Sequence, residues 1–319
     1  MGMALSKDYD LLVIGEINPD LILAGDEIEP AFGQVEKLVD EAALTIGASS
    51  AIMASGAARL GLRTAITGLV GDDLFGHFML DALAARGVDT THVVVDSARR
   101  TGFSVILARG SDRAILTYVG AINALEARHI PDGLIRSASH VHVGSYFLQT
   151  ALRPGLPRLF QHAQEWGTTT SLDTNWDPQA SWEGVDEVLR HTSLFLPNEA
   201  EACSLTGEEE LASALPALAE RVPLVAVKQG ARGAIARFRD EVVQVEALPV
   251  EVRDTVGAGD SFDAGYIYGY LHGWSLERCL RLATVCGSLS ARAHGGTDAQ
   301  PTLAEALAYM QEDGIEGER

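Results

Sequence analysis

The sequence predicts an α/β fold: a mainly parallel sheet covered by helices, with a small antiparallel appendage beside it. Two observations carry the main body. Short apolar runs of strand length alternate with amphipathic stretches of helical period, and several of those stretches close on a glycine. A third observation predicts the appendage, because residues 21–44 and 101–119 break the alternation with strand-like pieces of their own.

The first run, Asp10-Leu-Leu-Val-Ile-Gly15, reads as a buried strand. It ends in Glu16-Ile-Asn-Pro-Asp20, where Pro19 interrupts the pattern and polar side chains collect at the strand's carboxyl end. Ligands gather at that end of open α/β sheets. Residues 48–60 and 74–86 have helical spacing and stop at Gly61 and Gly87; each returns the chain to a strand, over 65–70 and 92–95. Strand-like 103–107 and 114–118, joined by Gly110-Ser-Asp112, form a hairpin. Pattern alone leaves open whether it is a lid over the first strand's mouth or an edge hairpin without function. Strands follow over 140–143, 169–172, 194–196 and 224–227, and helices over 154–166 and 182–191. A meander over 230–245 precedes closing helices over 258–271, 276–291 and 302–310, and the polar tail 311–319 is expected to fray.

Composition removes several classes of function. With 44 Asp and Glu against 24 Lys and Arg, the formal charge is −20, and no basic stripe offsets it, which argues against nucleic acid as a partner. No run of about 18 apolar residues is present, so no membrane-spanning helix is expected. Residues 1–8 resemble neither a secretory signal nor a lipid anchor. Cys203, Cys279 and Cys286 lack CxxC spacing and read as reduced thiols, which makes the cytoplasm the default compartment.

The chemistry concentrates in Asp254-Thr-Val-Gly-Ala-Gly-Asp-Ser-Phe262. Gly257, Ala258 and Gly259 stand where a strand-like run gives way to a helix. First-turn amides have no internal acceptor and carry the positive end of the helix dipole, so they can hold an anion that small side chains let approach. Asp260 then sits in that field, where its carboxylate is expected to stay ionised and accept a proton from a substrate hydroxyl. Helix physics alone leaves open a plainer reading, a glycine-rich turn with a favourable first-turn charge. The sequence has no GxxxxGK[ST], and Phe262 stands where a dinucleotide fingerprint needs Gly or Ala.

This nonapeptide resembles the carboxyl-terminal signature of the ribokinase, or PfkB, family of carbohydrate and nucleoside kinases. Further matches run in family order: Gly15 to Asp20, Ala58-Arg-Leu-Gly61, Gly71-Asp-Asp73, Asp173-Thr-Asn175, Asn198-Glu-Ala-Glu201 and Val227-Lys-Gln-Gly230. The resemblance implies one ribokinase-like kinase domain over residues 1–319, a three-layer α/β/α sandwich with a β-lid built from about 18–45 and 101–119. It implies an ATP- and Mg²⁺-dependent phosphotransferase acting on a hydroxyl of a small sugar. Asp260 would be the general base, and Gly257, Ala258 and Gly259 the anion hole for the transferring phosphoryl group. Asn198 and Glu201 would help place Mg²⁺ through water, although the same residues also spell a helix capping box.

On the nucleotide side the resemblance implies Lys228, Gly230 and Gly233, and a solvated strand end is the plain alternative for Lys228. Asp254, the Val256 carbonyl and carbonyls near Ala291, His294 and Gly296 match loops that hold K⁺ or another monovalent cation in many relatives; the alternative for Asp254 is a turn cap. On the acceptor side Asn18 and Asp20 match residues that bind sugar hydroxyls. Here the sequence departs from the family: the usual double glycine followed by Asn becomes Gly47, Ala48 and Ile52, which makes this wall less polar. Ser49 and Ser50 either compensate or cap the helix.

By position alone, Ser145 at a strand end is a candidate acceptor contact, and Asn175 could reach the phosphates or close a capped turn. Phe103 on the hairpin covers the sugar or packs the lid. His140 and His142 alternate on a strand without a third ligand and read as core histidines.

The expected enzyme is therefore a carbohydrate kinase, with a homodimer through the lid as its assembly. A nucleoside kinase on the same fold is the alternative. A non-catalytic sugar-binding or regulatory protein is the third reading, against which the intact Asp260 and its glycines speak. An acidic chain binding ATP must rely on local positive devices.

Overall fold

Both faces of strand β1 (Tyr9–Ile14) are buried: Leu11 and Val13 enter one apolar cluster, Leu12 and Ile14 another. A continuous apolar run imposes this, because alternate residues of a strand leave on opposite faces. The computed structural model, which describes residues 7–109 and 112–312, builds from that strand an eight-stranded sheet with an apolar core on each side.

From β1 the chain departs for a smaller sheet through β2 (Pro19–Ala24) and β3 (Glu41–Ile46). Helix α1 (Ser49–Leu60) then carries it back to β4 (Thr64–Thr67), parallel to β1 with Leu11 opposite Thr64. The helix stops at Gly61, whose φ of 103° few side chains tolerate. Strand β5 (Leu69–Gly71) follows, then α2 (Leu74–Ala85), capped by Asp73, then β6 (Val94–Asp96), which pairs with β5 alone. The single strand expected over 65–70 is thus split at Gly68, where a Cβ would lie 2.4 Å from the Gly15 carbonyl oxygen. Close approach of two backbones turns the chain there.

Strands β7 (Phe103–Arg109) and β8 (Asp112–Tyr118) pair as the expected hairpin; residues 110 and 111 of its turn lie outside the described residues. The rhythm resumes with α3 (Asp132–Arg136), β9 (Ala138–Val143), α4 (Leu156–Glu165), β10 (Thr169–Leu172), α5 (Val185–Leu189) and β11 (Leu194–Phe195). Two helices that periodicity did not predict come next, α6 (Glu199–Thr206) and α7 (Leu211–Ala219). Pro216 lies inside α7, which is held by burial of Leu211, Ala214, Leu215 and Leu218. Strands β12 (Leu224–Lys228), β13 (Ala234–Phe238) and β14 (Glu241–Val245) form the edge meander, and α8 (Ala258–Leu271), α9 (Leu276–Ser290) and α10 (Leu303–Glu312) close the chain. The tail expected to fray lies, from residue 313, outside the described residues.

The large sheet has the order β14-β13-β12-β11-β10-β9-β1-β4, parallel from β12 to β4. The lid is a four-stranded sheet, β3-β2-β7-β8. Its middle pair, β2 and β7, is parallel, so the appendage is mixed rather than antiparallel, because two separate excursions of the chain meet there. Among the described residues no helix is long and apolar enough to cross a membrane.

Candidate functional site

The carboxyl ends of β1, β9, β10 and β12 meet the inner face of the lid around a cavity of about 550 Å³. Glu16 comes from the first of these ends, Ser145, Asp173 and Lys228 from the others, and Ser104, Ile106, Ile115 and Thr117 from the lid. Parallel strands expose their terminal loops on one edge, which is why residues remote in sequence converge.

One wall is the start of α8. Gly257, at its N-cap, has φ 72° and sits so close to Gly296 that a Cβ would fall 2.6 Å from the Gly296 Cα. Ala258 N–H donates to the Thr255 carbonyl and Ser261 N–H to that of Gly257, whereas the amides of Gly257, Gly259 and Asp260 have no acceptor among the described residues. These free donors on the first turn of a 14-residue helix form a nest for an anion. Asp260 is buried beside them, and burial, followed by the charge of Asp173, pushes its carboxyl up to about 7. The expectation of a fully ionised Asp260 is corrected: loss of water and neighbouring carboxylates outweigh the helix field. Such a group gives and takes protons near neutrality.

Behind Asp260 lies a cluster of buried charge. Lys228 Nζ stands 2.7 Å from Asp173 Oδ2 and 3.0 Å from Asp263 Oδ1, which rules out the solvated strand end. Burial opposes its charge, but Asp173, Asp263 and Glu201 hold the ammonium well above the usual lysine range. Burial raises Asp263 as well, whereas Asp173, against the same burial, is held low by Lys228 and by the hydrogen bond it receives from Asp263. Sequence reading missed Asp263, although a carboxylate three residues after Asp260 shares its helix face. Oxygens of Asp173, Asp260 and Asp263 lie within 4.8 Å of one another. That donor set suits a hard divalent cation that keeps part of its water shell, but Lys228 already neutralises two of its members.

Asn198 and Glu201 line the same cavity, and they form the capping box of α6. Asn198 Oδ1 accepts from Glu201 N–H at 2.9 Å, and Glu201 Oε2 accepts from Asn198 N–H at 2.9 Å. Burial, then Asp173, pushes Glu201 up to about 7.

The opposite wall is assembled from many short segments. Asn18 and Asp20 are buried, and Asp20 is pushed up to about 6, first by burial. Gly47 is retained because a Cβ there would come 2.2 Å from Asp20 Oδ1. Ala48 carries φ 64° at the N-cap of α1 and makes no side-chain cap, so neither Ser49 nor Ser50 is the helix cap. Instead Ser50 Oγ donates to Glu16 Oε2 at 2.8 Å and Ser145 Oγ to Glu16 Oε1 at 2.6 Å. Asn175 Nδ2 donates to both Ser145 Oγ and Ser49 Oγ at 2.7 Å. The capped turn considered for Asn175 is present too, since its N–H donates to Asp173 Oδ1 at 3.1 Å. A hydrogen-bonded chain therefore runs from Glu16 through Ser145 and Asn175 to Ser49. Burial raises the Glu16 carboxyl, and the two serines oppose that rise. Ala48, Ser145 and Asn175 all have positive φ and all line the cavity, a concentration of strain found where surroundings over-determine a binding surface.

Three sequence expectations meet different outcomes. Phe103 does not line the cavity: Ser104 and Ile106 face it, so period two turns Phe103 away, 4.9 Å from the Phe75 ring centroid and 5.8 Å from that of Tyr118. Ile52 lines the cavity and also packs on Gly257 and Gly296, bracing the anion-hole loop. The loops matched to a monovalent cation are internally bonded. Asp254 Oδ1 accepts from Val256 N–H and Oδ2 from Gly295 N–H, both at 3.0 Å, while the Ala291 carbonyl accepts from Arg253 and Asp254. His294 is exposed, and the positive charge beside Asp254 is Arg113 Nη1 at 3.4 Å, so these groups do not fit a cation cage. His140 and His142 are core histidines held by Ser171 and Thr169, with burial pushing them down to about 3 and about 4.

Beyond the anion hole a second, largely apolar cavity of about 480 Å³ is walled by Gly233, Val250, Val252, Phe262 and Ala291 and shares Lys228, Gly230 and Gly259 with the first. Gly233, at φ 94°, has no room for a Cβ against the Val245 carbonyl oxygen.

Comparison with known proteins gives a consistent result. Residues 8–303 match the pfkB family carbohydrate kinase. The chain is 28% identical over 288 residues to the 5-dehydro-2-deoxygluconokinase of Geobacillus thermodenitrificans, covering 83% of this chain and 84% of that protein. It is 31% identical over 275 residues to a fructokinase of Klebsiella pneumoniae, covering 80% and 88%. The crystal structure of a putative ribokinase II of E. coli in complex with ATP and Mg²⁺ superposes with a TM-score of 0.86 at 26% identity, covering 97% of this chain and all of that one.

Proposed function

The chain belongs to the pfkB family of carbohydrate kinases and is a phosphotransferase with an alcohol acceptor; we propose that it transfers the γ-phosphoryl group of ATP to a hydroxyl of a small sugar held between Asp20 and Asp260. One observation carries the proposal: Asp260 stands beside three free amides at the start of α8, in the cavity that also contains Asn18 and Asp20. Base, anion nest and hydroxyl-binding carboxylate thus face one space.

The roles follow from that arrangement. Asp20 and Asn18 accept and donate to acceptor hydroxyls, and a buried carboxylate left without its hydroxyl partner penalises the wrong acceptor. Asp260 takes the proton of the attacking hydroxyl. The amides of Gly257, Gly259 and Asp260 meet the charge that spreads over the transferring group, a term worth several kcal/mol in a dry site (about 3–4 per donor in measured cases). No nucleophilic side chain is needed for a direct, in-line transfer. The lid's inner face excludes water and so suppresses hydrolysis.

For the nucleotide, the second cavity offers apolar walls and the glycines admit close approach. Mg²⁺ bound with ATP would offset the charge of the phosphates. Asn198 and Glu201, with Asp173 within reach, are the oxygens that would hold its water shell. Exposed Ile115, Leu116 and Tyr118 on lid strand β8 support a homodimer through the lid.

A panel of sugars and nucleosides, read by acceptor-dependent release of ADP with and without Mg²⁺, tests the proposal. Sugar-dependent release is expected, and it should vanish without the metal. Release with nucleosides alone would reassign the acceptor, and no acceptor-dependent release at all would leave a binding protein.

A further inference from the structure

The acceptor end of the cavity contains a cation that the sugar-hydroxyl reading does not use. Arg113 lies on lid strand β8, and period two places it on the same inner face as Ile115 and Thr117, all three lining the cavity. Its guanidinium faces two carboxylates from different parts of the fold, Asp254 at 3.4 Å and Asp20, on which its charge acts. Among the described residues its hydrogen-bonded partner is Asp254 alone, through Nη1. A guanidinium offers five N–H donors in a planar fork, so most of that capacity is unspent and directed at the space where an acceptor would lie.

The pairing with Asp254 is of the kind that gives way. The Arg113 side chain is 40% exposed, the N···O distance is long, and partly exposed pairs are weak. Lys228, the other cation of the cavity wall, is by contrast held by two buried carboxylates at 2.7 and 3.0 Å. Around Arg113 the wall is graded. Asp20, Ser104 and Thr117 lie in one row across the lid and offer partners for hydroxyls, Ile106 and Ile115 make an apolar band, and Arg113 follows beyond it on β8. Glu16 and Asp20, whose carboxyls burial raises, are the acidic groups that such an anion would approach beside the guanidinium.

Resting on the kinase reading above, we infer that Arg113 is a specificity-determining residue that binds an anionic group, carboxylate or phosphate, carried by the acceptor itself, so that the preferred substrate is a sugar acid or sugar phosphate rather than a neutral sugar. The hydroxyls of such an acceptor meet Asp20, and its anion replaces or shares Asp254 on the guanidinium fork.

The test pairs anionic acceptors with their neutral parents, D-gluconate with D-glucose and ribose 1-phosphate with ribose. Phosphoryl transfer and calorimetric binding are both measured on the wild-type chain and on Arg113→Ala and Arg113→Lys. An anionic member should exceed its parent in kcat/KM by about tenfold or more, and Arg113→Ala should shrink that ratio by a similar factor, mainly through KM, with Arg113→Lys retaining part of it. The pair that responds tells carboxylate from phosphate. Preference for neutral acceptors, or a ratio indifferent to Arg113→Ala, overturns the inference and leaves the kinase reading intact. An equal fall in kcat for every acceptor also overturns it and moves Arg113 to the transferring phosphoryl group. Anion binding that depends on Arg113 without any transfer supports the inference and removes the kinase reading; absence of both binding and transfer removes the two together.

Discussion

The two ends of the cavity are built on different principles. The phosphate end is one helix start and a knot of largely buried ionisable groups, Asp173, Asp260, Asp263 and Lys228, and it belongs to few segments. The acceptor end gathers lid strands β2, β7 and β8, the start of α1 and the loop after β9, and its one cation among the described residues is partly exposed. Chemistry that is the same for every acceptor can rest on backbone amides, which no side-chain substitution removes. Selection among acceptors has to be written in side chains, and those sit on segments that vary independently.

The largest effect expected from this contrast lies at the phosphate end. Asp260→Asn should lower kcat by about 10²–10⁴-fold while calorimetry still registers ATP, since the amides remain; substantial residual turnover would remove Asp260 as the base. Next comes Lys228→Met, which strands the buried Asp173 carboxylate without a counter-charge and should cost about 3–5 kcal/mol in denaturant unfolding. Arg113→Ala, measured the same way, should cost no more than about 1 kcal/mol. Similar losses for the two would erase the distinction between a buried and a surface cation.

A pH profile probes both ends at once. Because Asp260 is pushed up to about 7 and must be deprotonated to accept a proton, kcat/KM should fall about tenfold per pH unit below that value and level off above it. A flat profile from pH 5 to 8 would contradict the buried base.

Two substitutions at the acceptor end should act more gently. Gly47→Ala forces a methyl into Asp20 Oδ1 and should raise the acceptor KM by roughly 10- to 100-fold, the worth of a hydrogen bond to a charged group, with ATP binding little changed. Ala48→Gly should do the opposite to stability, relieving a positive-φ alanine and gaining about 1 kcal/mol in thermal unfolding. Loss of stability there would mean that the Ala48 methyl packs usefully enough to outweigh its strain.

The contrast also explains what could be read in advance. Strand β12 and helix α8 fall where periodicity puts them, because an apolar run buried on both faces and a helix following a glycine turn are set by neighbouring residues. The proposed base and anion hole are legible for the same reason: they occupy one stretch of nine residues. Glu16 was in plain view at the end of β1, yet its bonds to Ser50 and Ser145 come from segments 34 and 129 residues away. Of the two roles open to Phe103, covering the sugar or packing the lid, it takes the second against Phe75, because one residue of strand register exchanges the two faces of the lid. Arg113 on an exposed strand carried no signal of its own.

The amino-acid sequence by itself determined the order of elements, the layered sheet and the nine-residue phosphate end, since hydrophobic period, glycine conformation and a helix's unpaired amides are local properties. Tertiary structure alone decided which carboxylates keep their protons, which lysine is spent on an internal pair and which arginine faces the acceptor. Those depend on burial and on the distance between charges brought together from separate segments, and neither quantity exists until the chain has folded.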